Sequence, residues 1–187
     1  MDPVRLSSAE RRAALRPRSQ PWWRDLPGDV HYTNTLPAER ARPEFPREPG
    51  SYLLLFTWAR PLKLQVGRLG PAVLAPGLWV YGGSAWGPGG LQARLRRHLY
   101  PADRRPHWHV DRLTSLQRPH GVVWALQPPA EGRPRLECIW IRHLLTHLGF
   151  TAPVRGFGSG DCRQGCPAHL VHLPGSGPGL PTPGWMA

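Results

Sequence analysis

The chain has 187 residues, enough for one domain with a proper hydrophobic core and too few for two domains of ordinary size. Its 24 basic and 12 acidic residues give a formal net charge of +12, which favours a polyanionic partner: nucleic acid first, and an anionic membrane surface second. Lys63 is the single lysine and Pro and Gly are abundant, a composition that codon bias in a GC-rich genome also produces. The charge is therefore mild support for nucleic-acid binding.

Cysteine content and hydropathy bear on the setting in which the chain works. The three cysteines are an odd number and the N-terminal residues show no secretory signal, so we expect a reducing compartment and no disulfide framework. No apolar run approaches the roughly 18 to 20 residues that span a membrane. The sequence predicts a cytoplasmic protein that does not enter a membrane.

Residues 1–48 are predicted to form an irregular arm rich in Pro and Arg. One short helix is expected in SSAERRAALR, capped by Ser7 with Glu10 as its capping-box partner. The prolines that follow are spaced too closely for regular structure. Trp22 and Trp23 are expected to pin the arm onto the domain; the alternative is that they stack on a nucleic-acid base.

Residues 49–173 carry the regular hydrophobic patterns and are predicted to form the folded domain, followed by a flexible tail over 174–187. Short apolar runs divided by Gly and Pro predict mainly antiparallel strands, the last of them at a sheet edge: 50–59, 62–67, 71–77, 78–84, 120–127 and 168–173. Helical patterns cover 89–100, 107–116 and 133–150. This order predicts an α/β (α+β) fold with a small sheet flanked by helices.

In the last predicted helix an acidic residue lies among apolar ones. At 100° per residue, Glu137 falls within a stripe of four residues: Trp140, Ile141, Leu144 and Leu148. A carboxylate that faces a core titrates, pairs with a cation or ligates a metal. Alternatively, Glu137 simply occupies the first turn, where the macrodipole favours an acid and the stripe is exposed. The pattern leaves both interpretations open.

The helix predicted at 89–100 carries its cations on two faces. Leucines at every fourth position form its buried stripe: Leu91, Leu95 and Leu99. Arg94 and His98 lie along one border of that stripe, whereas Arg96 and Arg97 point toward water. Residues four apart can act on one ligand, so Arg94 and His98 are candidates for a half-buried site. A solvated basic face is the alternative.

Five glycines occur in the ten residues of YGGSAWGPGG, just before this helix. Such a turn lets the backbone approach a ligand closely. Neither the Walker sequence nor the dinucleotide-binding glycine spacing is present. The turn thus either cradles a phosphate of another kind or only changes the direction of the chain.

Several motifs occur in an order typical of one nuclease superfamily. GSY at 50–52 and YGG at 81–83 precede Arg94, His98 and Glu137. In this order they resemble the GIY-YIG nuclease superfamily. The match is closer to a prokaryotic branch that is a domain of unknown function, with GPGGLQARLRRHL, HWHVD and FGSGDC…HL as they stand here. The resemblance covers about residues 49–173.

The chain departs from the superfamily pattern at two strand positions and in one spacing. Ser51 replaces an isoleucine and Gly82 replaces a β-branched residue, while both tyrosines are kept. The two tripeptides are nearly 30 residues apart, where about ten is usual in the superfamily, so the resemblance implies an added hairpin between the two motif strands. Activity in this branch rests on fold analogy alone.

The resemblance implies phosphodiester hydrolysis with one divalent ion, Mg²⁺ or Mn²⁺. Glu137 would hold the metal and Arg94 would stabilise the charge that grows on the phosphate. Tyr52 and Tyr81 would orient or deprotonate the attacking water, with His98 assisting. We expect an endonuclease acting on DNA, in repair or processing.

Two other functions remain open, and both concern binding. A non-catalytic module of the same fold would bind DNA or RNA through the Arg94 helix and the arm. An interaction domain whose basicity is genomic bias would bind no nucleic acid.

Nucleic-acid contacts are expected from the glycine turn and from the helix that follows it. The four residues are Gly83, Ser84, Arg96 and Arg97.

HWHVD offers three ligand types in a row, His107, His109 and Asp111. On a helix His107 and Asp111 share a face while His109 points away, so a three-ligand metal site is not expected. A structural or substrate-contact role is favoured. The resemblance makes these residues part of a candidate second site.

The spacing of Cys162, Cys166 and His169, with His172 as a further candidate, resembles part of a zinc site. A structural zinc normally has another ligand pair, and Cys138 is predicted to lie in a helix core. No zinc is therefore expected, and a loop packed by small polar residues is favoured. By resemblance, the second site also includes three loop residues that line the cleft: Asp161, Cys162 and His169.

Overall fold

The structure is a computed structural model that describes residues 21–35, 43–101, 107–130 and 132–175. The predicted helix capped by Ser7 lies outside these residues, as does most of the predicted tail. None of the helices in the described part of the chain has the length and apolar character that crossing a bilayer would require.

The described residues form seven strands and three α-helices, in the predicted order after the arm. Their bounds are β1 His31–Asn34, β2 Gly50–Trp58, β3 Leu62–Gln65, β4 Pro71–Leu74, β5 Gly77–Ser84, α1 Gly90–Leu99, α2 His109–Thr114, β6 Gly121–Leu126, α3 Leu136–His147 and β7 Leu170–Leu173. Five strands build one antiparallel sheet in the order β1-β6-β2-β5-β7. The α+β fold, the antiparallel sheet and the edge position of β7 are confirmed.

The predicted hairpin between the two motif strands is present as β3 and β4, which pair only with each other among the described strands. Leu64 and Leu74 anchor it in the core. Its tip residue Leu69 lies against Gly156, and Gly67 lies against His109. The hairpin therefore covers the side of the domain on which α2 packs.

The arm contributes a strand, so the prediction that it lacks regular structure is wrong for β1. A proline-free stretch between Pro27 and Pro37 leaves backbone N–H groups that pair with β6. Trp22 is buried and packs beside Phe150, with the ring centroids 6.0 Å apart. The expectation that the tryptophan pair pins the arm to the domain is confirmed for Trp22.

The sheet separates two cores because side chains alternate along its strands. Tyr52 and Leu54 of β2 face the core shared with α1 and α2, whereas Leu53 and Leu55 face the core shared with α3. The predicted stripes of α1 and α3 are buried in these cores, apart from Leu148, which is partly exposed. Central strand β2 is buried on both faces, which explains its nearly continuous apolar sequence.

Candidate active site and a cysteine cluster beside it

The glycine turn leads into α1 without leaving a phosphate cradle. Gly89 and Gly90 adopt left-handed conformations, with φ of 80° and 52°. The N–H groups of Leu91 and Gln92, at the start of α1, donate to backbone carbonyls of residues 46–48 at 3.1 and 2.8 Å. Because these donors are already occupied, this helix N-terminus has little left to offer an anion. The turn serves to place α1.

Glu137 combines both interpretations of the helix pattern: it lies in the first turn of α3 and is only 1% exposed. The Ser51 hydroxyl donates to its Oε2 at 2.6 Å. Among the described residues no group donates to its other oxygen, Oε1. Gln127 fixes the start of this helix by accepting the Leu136 N–H at 2.9 Å. Glu137 is thus held by one oxygen and has the other available for a ligand.

Tyr52 and Tyr81 lie on adjacent strands and on the same face of the sheet. Burial raises the pKa of Tyr52 well above its usual value, and the charge of Glu137 raises it further while Arg94 lowers it. Burial also raises the pKa of Tyr81, and the same two charges act on it in the same directions. Both charges therefore act electrostatically on both phenols. At neutral pH both phenols keep their protons.

A polar chain runs from Tyr52 into α2. Tyr52 Oη and His98 Nε2 are 2.9 Å apart, and His98 Nδ1 lies 3.5 Å from Asp111 Oδ1. The second distance is too long for a well-formed hydrogen bond, but the carboxylate favours a proton on Nδ1, which leaves Nε2 to accept from the phenol. Burial lowers the pKa of His98 despite the opposing effect of Asp111. The neutral imidazole is therefore an acceptor for the Tyr52 proton.

Asp111 holds this chain in place. Its carboxylate accepts from Arg97 at 2.7 Å and from the backbone N–H groups of His107 and Trp108 at 2.9 and 3.1 Å. Burial alone would raise the pKa of Asp111, but the contact with His98 and the hydrogen bonds from Arg97 and these amides lower it well below its ordinary value. Asp111 is therefore ionised, and it orients the ring of His98.

Arg94 is partly exposed and has no carboxylate partner among the described residues. Its guanidinium lies 4.1 Å from the centroid of the Trp108 ring, and that of Arg97 lies 4.6 Å from the same ring. Arg97 is neutralised by Asp111, while Arg94 keeps its charge free. Arg94 is thus an uncommitted cation on α1 that rests on the face of Trp108.

The predicted nucleic-acid contacts have different surroundings. Gly83 is buried beneath the phenol of Tyr52, so it has no surface for a ligand, and its small size makes room for that ring. Ser84 accepts a hydrogen bond from Arg135 at 3.1 Å. Arg96 is exposed as predicted. Arg97 does not point freely into water, because Asp111 draws it across to α2.

The HWHVD segment does not gather its ligand-type side chains around one point. Asp111 turns toward α1, and His107 is exposed. His109 accepts the Gly158 N–H on Nδ1 at 3.1 Å. Asp111 and His109 therefore have structural contacts, Asp111 with α1 and His109 with the loop between α3 and β7.

A cysteine cluster, which comprises Cys138, Cys162, Cys166 and His169, lies beside this site. The four ligand atoms all lie within 4.8 Å of one another. The prediction that Cys138 lies in a helix core, out of reach of the other ligands, is wrong, because its Sγ lies 3.7 Å from Cys162 Sγ. Asp161 is exposed outside the cluster, and His172 stacks on Trp79 instead.

The profile of a family described as Domain of unknown function DUF123 matches residues 51–177, more than half of the chain. The chain belongs to the DUF123 family. No curated protein and no solved structure matches it. The expected branch, a domain of unknown function, is therefore confirmed at that level, and membership of the GIY-YIG superfamily stays a prediction.

Three features of this DUF123 domain escaped sequence reasoning. Cys138 is 24 residues from Cys162, so no short motif joins them. The sequence groups Asp111 with histidines whose side chains it does not contact, although a carboxylate three residues after the first capping position, here Trp108, is typical of a capping box. Arg135 stacks on Trp86 and reaches Ser84, which links α3 to the glycine turn. The one signal for Arg135 in the sequence is its position two residues before Glu137.

Proposed function

We propose that this DUF123 protein hydrolyses phosphodiester bonds in DNA with one divalent metal ion, as a GIY-YIG-type endonuclease. One set of contacts carries the proposal: α1 and β2 carry an uncommitted arginine and a hydrogen-bonded phenol–imidazole pair, and the acid bonds Ser51, the residue before that phenol on β2, all expected from the motifs. The residues proposed to act are Tyr52, Tyr81, Arg94, His98 and Glu137.

The residues present fit a hard divalent cation. Mg²⁺ and Mn²⁺ bind through one or two carboxylates and keep water and substrate phosphates as their other ligands. Glu137 supplies one carboxylate whose Oε1 has no donor among the described residues. A bound ion would neutralise phosphate charge and lower the pKa of a water molecule. Glu137 is only 1% exposed, so neighbouring side chains must move before an ion can reach its carboxylate.

Arg94 would offset the charge that develops on the phosphate. Its guanidinium has no competing carboxylate among the described residues, so no existing ion pair must break when it binds an anion. The face of Trp108 holds it in position. Arg96 is exposed on α1, and Arg135 is exposed beside the glycine turn, where it bonds Ser84; both add to the attraction for a polyanion.

Tyr52 and His98 would move the proton of the attacking water. Because burial raises the pKa of Tyr52, its phenol is neutral and donates to His98 Nε2. When the phenol oxygen receives a proton from the water, its own proton passes to Nε2. Asp111 beside Nδ1 favours the imidazolium that results. Tyr81 would orient the water or the phosphate by donation.

The test is to incubate the full-length protein with Mg²⁺ or Mn²⁺ and labelled duplex, flapped and branched DNA. Glu137→Gln keeps an oxygen that accepts from Ser51 but removes the charge, so we expect cleavage to fall at least about 100-fold. Glu44→Gln, at an exposed acid, is the matched control and should cleave normally. Failure to cleave any substrate, or equal cleavage by Glu137→Gln, would contradict the proposal.

A second candidate is a nucleic-acid-binding module without hydrolysis. The burial of Glu137 against Ser51 favours it, because such a carboxylate also serves as a purely structural acceptor. This alternative requires salt-dependent DNA binding that survives Glu137→Gln and weakens in Arg94→Ala, with no cleavage by either variant.

A further inference from the structure

The four members of the cysteine cluster come from three parts of the fold. Cys138 is buried in the first turns of α3, and His169 directly precedes β7. Cys162 and Cys166 lie in the α3–β7 loop, residues 148–169, and both are partly exposed. The fold therefore brings a helix, a strand end and a long irregular loop to one point.

Two of the distances between ligand atoms match one tetrahedral ion, and the others are no longer than 4.8 Å. Two sulfur ligands at about 2.3 Å from such an ion lie about 3.8 Å apart, and a sulfur and a nitrogen ligand about 3.6 Å apart. Cys138 Sγ lies 3.7 Å from both Cys162 Sγ and His169 Nε2. A disulfide would require about 2.05 Å.

The backbone around the ligands is arranged as in a metal-binding turn. The Gln164 N–H donates to Cys162 Sγ at 3.4 Å, a contact that stabilises a thiolate. Gly165 has a φ of 71°, which turns the chain so that Cys166 returns toward Cys162. The His169 N–H donates to the Phe157 carbonyl at 2.7 Å, and its own carbonyl accepts from Gly82 at 2.8 Å. Backbone hydrogen bonds thus hold Cys162 and His169 in place at the cluster.

We propose that Cys138, Cys162, Cys166 and His169 bind one structural Zn²⁺. Three thiolates and an imidazole suit zinc, and four protein ligands complete its tetrahedral shell with no open position for catalysis. Packing alone explains the cluster less well, since thiols are weak donors and weak acceptors and gain little from one another.

The ion would hold the α3–β7 loop against the candidate active site. Gly158 of this loop packs so closely on Tyr81 that an added Cβ would lie 2.7 Å from the ring, and its N–H donates to His109. Zinc at the other end of the loop would fix this contact. The binding of zinc does not depend on the proposed nuclease activity.

The test is the metal content of full-length protein purified without chelator from cells supplied with zinc. We expect about one zinc ion per chain, reduced at least about tenfold in Cys162→Ser. Cys162 is partly exposed in the loop, so its substitution leaves both cores intact. His147→Ala, which alters an exposed histidine of α3 outside the cluster, is the control and should keep the metal.

Cobalt(II) exchanged into the protein gives a second readout. Thiolate-to-cobalt charge-transfer bands and tetrahedral cobalt absorption are expected in the wild type and should be absent from Cys162→Ser. Wild-type protein that is folded, free of zinc and unable to take up cobalt would overturn the proposal. So would full retention of zinc by Cys162→Ser, or a Cys138–Cys162 disulfide found by mass in metal-free folded protein.

Discussion

Glu137 and Cys138 are neighbours in α3, yet they belong to two sites of opposite construction. One residue step rotates a helical side chain by about 100°, which sends Glu137 toward Ser51 on β2 and Cys138 toward the α3–β7 loop. In the candidate active site, internal hydrogen bonds hold Glu137 and the Tyr52–His98 pair in place. In the cysteine cluster, the ligand atoms face one another and form only weak contacts.

This difference separates a site that is organised by the protein from one that we propose is organised by an ion. In the candidate active site, Asp111 orients His98 and Ser51 holds Glu137, so the geometry persists without a ligand. In the cysteine cluster, three thiols gain little from each other, so an ion would supply most of the stabilisation. Losing the first arrangement should affect chemistry, and losing the second should affect stability.

The largest effect on cleavage is expected from a substitution in α1, and it tests the first of these two sites. Arg94→Ala removes the uncommitted cation and should lower cleavage about 100- to 1,000-fold, measured as single-turnover rates on labelled DNA. Arg96→Ala alters an exposed arginine on the same helix and should change the rate no more than about threefold, through weaker DNA attraction. Similar losses in the two variants would mean that Arg94 acts only through general charge.

A smaller effect on cleavage is expected when one methyl group is added to β5. In Gly83→Ala the new Cβ overlaps the Tyr52 phenol, so the ring must shift and its bond to His98 is lost. Because a misplacement of about 1 Å costs about 100-fold, we expect cleavage to fall about 10- to 100-fold. Gly87→Ala, at a glycine with open space around it, is the control. Normal cleavage by Gly83→Ala would remove the phenol from the mechanism.

The smallest effect concerns stability and pH. Asp111→Asn should lower the free energy of unfolding at pH 7 by about 1 to 3 kcal/mol, since the ion pair with Arg97 is lost. The pKa of Asp111 is lowered on folding from 3.8, so its stabilisation is full above pH 3.8 and is lost as the pH falls below that value. Urea unfolding of both proteins should show their difference shrinking below pH 3.8. A constant difference would rule out ionised Asp111 as the cause.

Most of the fold could be predicted because its signals are local. The apolar run of β2 predicts a buried strand and the leucine stripe of α1 predicts a buried helix face, and both predictions are confirmed. Strand β1 was missed because its partner β6 lies about 90 residues away, and the prolines around it dominated the pattern. The sequence of an edge strand gives only a weak signal, because much of the strand's stabilisation comes from pairing with its neighbour.

The candidate site could be predicted only where its residues belong to motifs. Arg94 and His98 share a helix border, and that border meets Tyr52 as expected. The helix pattern alone could not show that Glu137 is both buried and in the first turn, because its hydrogen-bond partner Ser51 is 86 residues away. Cys138 was rejected as a ligand because a helix pattern does not show which loop returns to it.

One set of preparations tests the central claim, that adjacent residues of α3 serve two separate sites. Zinc per chain and DNA cleavage with Mg²⁺ are measured on the same samples of wild type and Glu137→Gln. The account predicts that Glu137→Gln keeps about one zinc ion per chain and loses cleavage at least about 100-fold. Unchanged cleavage, or loss of zinc together with cleavage, would contradict it.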